Sequence, residues 1–197
     1  AHLAAMTIKR AGVAQQWIAE FRDLWVGNQP YRGLFPFTVR ERMLQRQSLI
    51  AADMITTVSD GLADALHRQS RRPIEVFHNG FDEAEIASLP PERIFPSDSV
   101  ARLVFTGRLY AEHQNAGPLM EALAAIARED AIVFAKLKLV VAGESDEPWR
   151  QIAKRHGVES CLDFRGPVSR GDALRMQRDA TALIMIDWRD PTHGVLS

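Results

Sequence analysis

The sequence predicts an α/β protein made of two Rossmann-like domains with parallel sheets, and three observations predict the sheets. Short apolar or β-branched runs alternate along the chain with segments whose apolar residues recur at helical spacing. The connections between them are short. Strand-like runs end on a helix-capping serine or on glycine, at Ser59, Gly107 and Gly143. Repeated β-α units of this kind imply right-handed crossovers and helices on both faces of each sheet.

Each element can be justified in turn. Residues 2–15 can form an opening helix, followed by the apolar run Trp17-Ile18-Ala19-Glu20-Phe21. A loop rich in Gly, Asn and Pro follows (Gly27, Asn28, Pro30, Gly33, Pro36). Val39, Met43, Leu44 and Ile50 fall near one face of a helix over about 38–51. Met54 to Val58 reads as a β-branched strand. Ser59 is a natural N-cap for the next helix, Asp60 favours its dipole, and Leu62, Ala63 and Leu66 supply its apolar stripe. Ile74 to Phe77 is a short strand after Pro73, and Asn79-Gly80 a turn. The stretch from Leu89 to Ser99, with three prolines and little periodicity, reads as a linker.

A second series begins there. Arg102 to Thr106 is a strand, and Leu119, Ala122, Leu123 and Ile126 share a helix face. Leu137 to Ala142 is a buried strand, followed by a helix near 147–156 and a strand near 161–165. A helix starts at Ser169, where Asp172 stands in the capping-box position, and a strand runs from Ala182 to Ile186.

Composition narrows the function classes. A chain of 197 residues holds one domain with a real core, or parts of two. With 46% hydrophobic and 25% charged residues it is ordinary for a globular protein. A formal net charge of −1 gives no global field for nucleic acid or an anionic membrane. The single cysteine, Cys161, cannot form an internal disulfide and reads as a core thiol in a strand edge, which suits a reducing compartment. No stretch approaches the roughly 20 apolar residues that span a bilayer. The opening Ala-His-Leu-Ala-Ala-Met is not a signal peptide, and the absence of an initial Met suggests a cut or processed chain.

In parallel sheets, ligands bind beyond the C-terminal ends of the strands. That points to Arg22-Asp23, to Gly107 through His113, to Gly143 through Asp146 and to Gly166 through Ser169. None of these contains a dinucleotide fingerprint or a P-loop. The six histidines show no metal-ligand spacing.

A series of landmarks occurs in one order: Phe21-Arg22-Asp23-Leu24-Trp25, Ala52-Asp53, Val58-Ser59, Phe77-His78-Asn79-Gly80-Phe81-Asp82, Phe105-Thr106-Gly107-Arg108-Leu109-Tyr110, Val140-Val141-Ala142-Gly143, and Phe164-Arg165-Gly166-Pro167-Val168. In this order the chain resembles the retaining GT-B glycosyltransferases of the "group 1" class, which build glycans and polysaccharides. The resemblance implies an acceptor-side domain ending near residue 78, a linker over 79–99 and a donor-binding domain over 100–197. Both domains are expected to be incomplete. Relatives continue beyond the place of His193 to Ser197 into a segment whose Lys and Glu contact the donor, and such a pair is expected within about ten residues downstream.

The implied reaction moves a sugar from a nucleotide diphosphate sugar to a hydroxyl of a glycan or lipid-linked acceptor. It expects no cofactor, no metal and no nucleic-acid partner. The implied setting is cytoplasmic, with Arg68, Arg71 and Arg72 as candidates for peripheral contact with the inner membrane face. A leaving diphosphate needs positive charge or N–H donors. Arg108, after Gly107 at a strand end, suits that need. His113 stands where relatives often carry a Lys. Gly143 and Glu144 are expected to line the nucleotide pocket, and Arg165 and Val168 to belong to the loop that holds the base. Asp23 is a candidate for binding the acceptor hydroxyl and Arg22 for orienting it or binding a phosphate, while His78 reads as a hinge or core residue. A nucleotide-sugar epimerase on the same fold and a non-catalytic nucleotide-binding module are the alternatives.

Overall fold

The computed structural model describes residues 1–27, 33–70, 72–144 and 146–187. The expectations placed on Asn28, Pro30, Arg71 and His193 to Ser197 lie outside the described residues. The described chain divides into two compact units, residues up to Phe81 and residues from Asp82.

The first unit holds helix α1 (His2–Arg10), strand β1 (Ile18–Phe21), helix α2 (Phe37–Ala51), strand β2 (Met54–Thr57), helix α3 (Asp60–Ser70) and strand β3 (Ile74–Val76). The strands form a parallel sheet in the order β1-β2-β3. Helix α1 stops well short of residue 15 because Gly12 takes a left-handed conformation, φ 73°. There the Gly12 amide donates to Lys9 and the Val13 amide to Ile8, satisfying carbonyls that a longer helix would have used. Ala19, Phe21, Leu49, Ala52, Ile55 and Leu66 make the core of this unit.

Helix α2 corrects the sequence reading. It buries Gln45, Ser48 and Leu49, whereas Val39, Met43 and Ile50 are exposed. Apolar periodicity located the helix but named the wrong face, because the buried face carries an amide and a hydroxyl. At the start of α3, the Ser59 carbonyl accepts from Ala63 at 3.0 Å, but the buried Ser59 hydroxyl has no partner among the described residues. The expected side-chain cap is therefore not made.

The second unit carries helix α4 (Glu83–Ala87), strand β4 (Ala101–Thr106), helices α5 (Gly117–Glu129) and α6 (Ala131–Ala135), strand β5 (Leu137–Ala142), helix α7 (Glu147–His156), strand β6 (Leu162–Gly166), helix α8 (Arg170–Asp179) and strand β7 (Ala182–Leu183). Its sheet is parallel, in the order β6-β5-β4-β7. The chain runs outward from β4 to β6 and then returns to the other side of β4. Alternation along the strands divides the core between the two faces. Phe105, Leu139 and Val141 join Met120, Leu123 and Trp149 of α5 and α7 on one face. Val104, Val140 and Ala142 join Met176 of α8 and Phe95 on the other. Burial on both faces explains why the central strands are apolar at consecutive positions.

Three further expectations change. Residues 89–99, read as a linker, include Phe95, which is buried in the second core, and Ile94, whose amide donates to Asp179 at 2.7 Å. Cys161 is buried, but it lies in a 3-10 turn (Glu159–Cys161) ahead of β6 rather than in the strand, and burial pushes its thiol pKa up. Helices α4 and α6 were not anticipated. Each is a short helix capped by an aspartate: Asp82 accepts from Ala84 at 2.8 Å, and Asp130 from Val133 at 2.9 Å. The cap at Ser169 is as expected, with its hydroxyl accepting from the Asp172 amide at 3.0 Å.

Candidate functional site

The C-terminal ends of β4, β5 and β6 converge on one pocket of about 370 Å³ in the second unit. That size suits a small-molecule site. Thr106, Gly107, Arg108, Ala142, Gly143, Glu144, Pro167, Val168 and Ala173 line it.

Backbone hydrogen bonds hold the three strand ends in place. The Gly107 amide donates to the Ala142 carbonyl at 2.8 Å, and the Gly143 amide to the Gly166 carbonyl at 2.9 Å. Two glycines are required here because both turns take positive φ, 128° at Gly107 and 155° at Gly143, and pass each other closely. The amides of Gly107 and Gly143 are therefore spent on the backbone. Those of Arg108 and Glu144 donate to no carbonyl among the described residues, which leaves them open to a ligand. Thr106 accepts from Gln177 of α8 at 2.6 Å, tying the last turn of that helix to the end of β4.

Arg108 is exposed, with its guanidinium 5.4 Å from the centre of the Tyr110 ring and no ion pair among the described residues. Glu144 is exposed across the same pocket. The floor is apolar: Ala142, Pro167, Val168 and Ala173. One charged guanidinium, two open amides and an apolar floor are a donor set for an oxyanion attached to a flat or apolar group.

The structure brings together Gly107, Arg108, Gly143, Glu144 and Val168 of the sequence-derived candidates. His113 and Arg165 do not line the pocket. The His113 amide donates to the Tyr110 carbonyl at 2.8 Å. Arg165 makes two bonds to Asp163 of its own strand, the shorter at 2.7 Å. Sequence reasoning missed Thr106, Pro167 and Ala173 as lining residues, although the first two stand within quoted landmarks.

In the first unit, Arg22 and Asp23 follow β1 as expected. The Arg22 guanidinium donates to the Asn79 side-chain oxygen at 2.8 Å, and Asp23 is exposed with no ion pair among the described residues. His78 is exposed rather than core, and its Nδ1 lies 3.1 Å from the Val58 carbonyl.

No protein-family model and no curated protein matches the sequence. Solved structures do match the fold. WaaG, a glycosyltransferase involved in lipopolysaccharide biosynthesis, is similar with a TM-score of 0.59 at 15% identity, over 84% of this chain and 49% of WaaG. TarM is similar with a TM-score of 0.55 at 12% identity, over 85% of this chain and 31% of TarM. A mutant of S. aureus TarM in complex with fondaparinux, alpha-GlcNAc-glycerol and UDP gives a TM-score of 0.51 at 12% identity. The fold is thus the α/β fold of GT-B glycosyltransferases, and the chain spans about half the length of WaaG and about a third of TarM. Among the described residues, no helix is long and apolar enough to cross a membrane.

Proposed function

We propose that the chain is part of a glycosyltransferase that moves a sugar from a nucleotide diphosphate sugar to a hydroxyl of a glycan or lipid-linked acceptor. The observation that carries this reading is the pocket at the ends of β4, β5 and β6, where Arg108 and the open amides of Arg108 and Glu144 meet an apolar floor. The strand order supports the location, since β4 is the strand from which the chain departs on both sides and ligands favour that crevice.

In this reading Arg108 and the two amides hold the diphosphate and stabilise the charge that grows on it as the sugar leaves. The side chain of Glu144 takes donor hydroxyls, and the loop at Pro167-Val168 takes the base against its apolar side. Arg165, tied to Asp163, and His113 lie outside the lining of this pocket, so the proposal gives the diphosphate to Arg108 and the two amides. Asp23 binds the acceptor hydroxyl, and Arg22, steadied by Asn79, orients it. No bound metal or cofactor is part of the proposal. Retention of configuration, a cytoplasmic site of action and peripheral membrane contact belong to it as expectations of the family resemblance.

Calorimetric titration with UDP, GDP, dTDP and ADP tests it. One nucleotide should bind selectively, and Arg108→Ala should weaken it by about tenfold to a hundredfold. Folded protein that binds none of the four, or whose affinity is unchanged by Arg108→Ala, would remove the donor-site reading.

A further inference from the structure

A second pocket, of about 700 Å³, lies in the first unit between the end of β1 and helices α2 and α3, and shares no residue with the donor pocket or with Arg22, Asp23 and His78. Val26, Gly27, Arg42, Arg46, Arg68, Gln69 and Ser70 line it. We infer that it binds a phosphate-bearing group through Arg42, Arg46 and Arg68.

Three of the seven lining residues are arginines. Arg42 and Arg46 stand four residues apart on α2, and like charges at that spacing repel. None of the three arginines is ion-paired among the described residues, although seven other cations of the chain are. Helix α2 offers Arg42 and Arg46 no carboxylate three or four residues away, where an ordinary surface helix would supply one.

A buried network fixes the polarity of the remaining groups. Gln45 is fully buried, which is costly for an amide unless it is bonded. The Val26 amide can only donate, and it does so to Gln45 Oε1 at 2.7 Å. Gln45 Nε2 is therefore the donor, and it reaches Gln69 Oε1 at 2.5 Å. The acceptor oxygen of Gln69 is thus used up, leaving its NH₂ group as another lining donor with no acceptor among the described residues. The Ser70 hydroxyl is turned away, donating to the Leu66 carbonyl at 3.2 Å. Three guanidinium groups and an oriented amide line the pocket, and no carboxylate is ion-paired with any of the three among the described residues, although Asp64 stands four residues before Arg68 on α3. Phosphate matches them: guanidinium binds it in bidentate fashion, and its charge relieves the repulsion.

Two sources of phosphate fit this chemistry, a soluble phosphate ester and a phospholipid headgroup, and the experiment separates them. The probes are pyrophosphate and phosphatidylcholine vesicles with and without phosphatidic acid. Both are applied to the full chain carrying Arg108→Ala, so that the donor pocket does not contribute. Pyrophosphate should bind saturably, and adding Arg42→Gln, Arg46→Gln and Arg68→Gln together should weaken it by about tenfold or more. Arg46→Lys alone should retain part of the affinity. In phosphate-free buffer the triple variant should melt no lower than its parent, because it loses repulsion rather than contacts. Arginine-dependent pyrophosphate binding without vesicle binding assigns a soluble phosphate. Arginine-dependent binding to phosphatidic acid vesicles, competed by pyrophosphate, assigns a headgroup. Equal binding by parent and triple variant, binding of neither probe, or a triple variant that melts lower without phosphate would overturn the proposal.

Discussion

Gly143 lies so close to Gly107 that a Cβ placed on it would stand 2.0 Å from the Gly107 carbonyl oxygen. The obstacle is backbone, so it cannot swing aside as a side chain would. A Cβ on Gly107 would meet nothing within 4 Å. The two glycines therefore answer different needs: Gly107 a backbone conformation, Gly143 that and the space as well.

Gly143→Ala should cost about 2–4 kcal/mol, from the strain of positive φ and from the overlap. Gly107→Ala carries only the conformational strain and should cost about 1–2 kcal/mol. Chemical denaturation of the two variants checks the order. Equal costs would mean that the loops separate easily, and the pocket would then not be a preformed one.

Arg108→Ala and Arg165→Ala should behave oppositely to what their equal charge suggests. Arg108 is exposed, with its guanidinium near the Tyr110 ring and no ion pair among the described residues, so its loss should change stability by no more than about 0.5 kcal/mol. Nucleotide affinity, however, should fall by about tenfold to a hundredfold, the scale of a charge-assisted bond to phosphate. Arg165→Ala removes both bonds to Asp163 outside the pocket and should leave nucleotide affinity within about twofold. Titration calorimetry beside thermal melting separates the two effects.

How far the sequence could be read depended on what buries each element. The second unit was legible because its central strands are apolar on both faces and its turns fall on glycines, at Gly107, Gly143 and Gly166. Helix α7, read near 147–156, runs over Glu147–His156, with Pro148 in its first turn and Gly157 ending it in a left-handed conformation. Helix α2 was located but turned the wrong way. Its buried Gln45 belongs to a hydrogen-bond network that no periodicity can show. The same limit applied to the donor pocket: strand-end positions were readable, but the pairing of Arg165 with Asp163 depends on side-chain geometry within β6. Short helices α4 and α6 escaped because five residues carry too little periodicity, and their capping aspartates, Asp82 and Asp130, were not read as caps.

Trp149 of α7 tests the larger core. It is fully buried and meets Phe105 edge-on, with ring centres 4.9 Å apart, one residue before Thr106 opens into the pocket loop. Trp149→Ala should destabilise the protein by about 3–5 kcal/mol through lost burial and the cavity left behind. Trp149→Phe keeps an aromatic against Phe105 and should cost less. If nucleotide affinity at a temperature where both variants are folded falls with Trp149→Ala and not with Trp149→Phe, the core supports the position of the Gly107 turn.

Asp98 and Arg102 give the clearest dependence on pH. The Arg102 guanidinium donates to both Asp98 oxygens, at 2.7 and 2.8 Å, and holds the carboxyl down to about 2. An unfolded aspartate titrates near 3.9, about two units higher. The folded pKa is the lower one, so the pair stabilises the fold fully above about pH 4, and that contribution disappears as pH falls through about 2. Asp98→Asn should therefore lower the melting temperature at neutral pH. Its difference from the natural sequence should shrink between about pH 4 and about pH 2, where both carry a neutral side chain at position 98. Because Asp98 is open to solvent, added salt should also narrow the difference at neutral pH. Arg102 additionally covers the Phe95 ring at 5.2 Å, so Arg102→Ala should lose more than Asp98→Asn and keep part of its deficit in acid. A difference between Asp98→Asn and the natural sequence that stayed constant from neutral pH to pH 2 would mean that the ion pair contributes nothing and that only packing is lost.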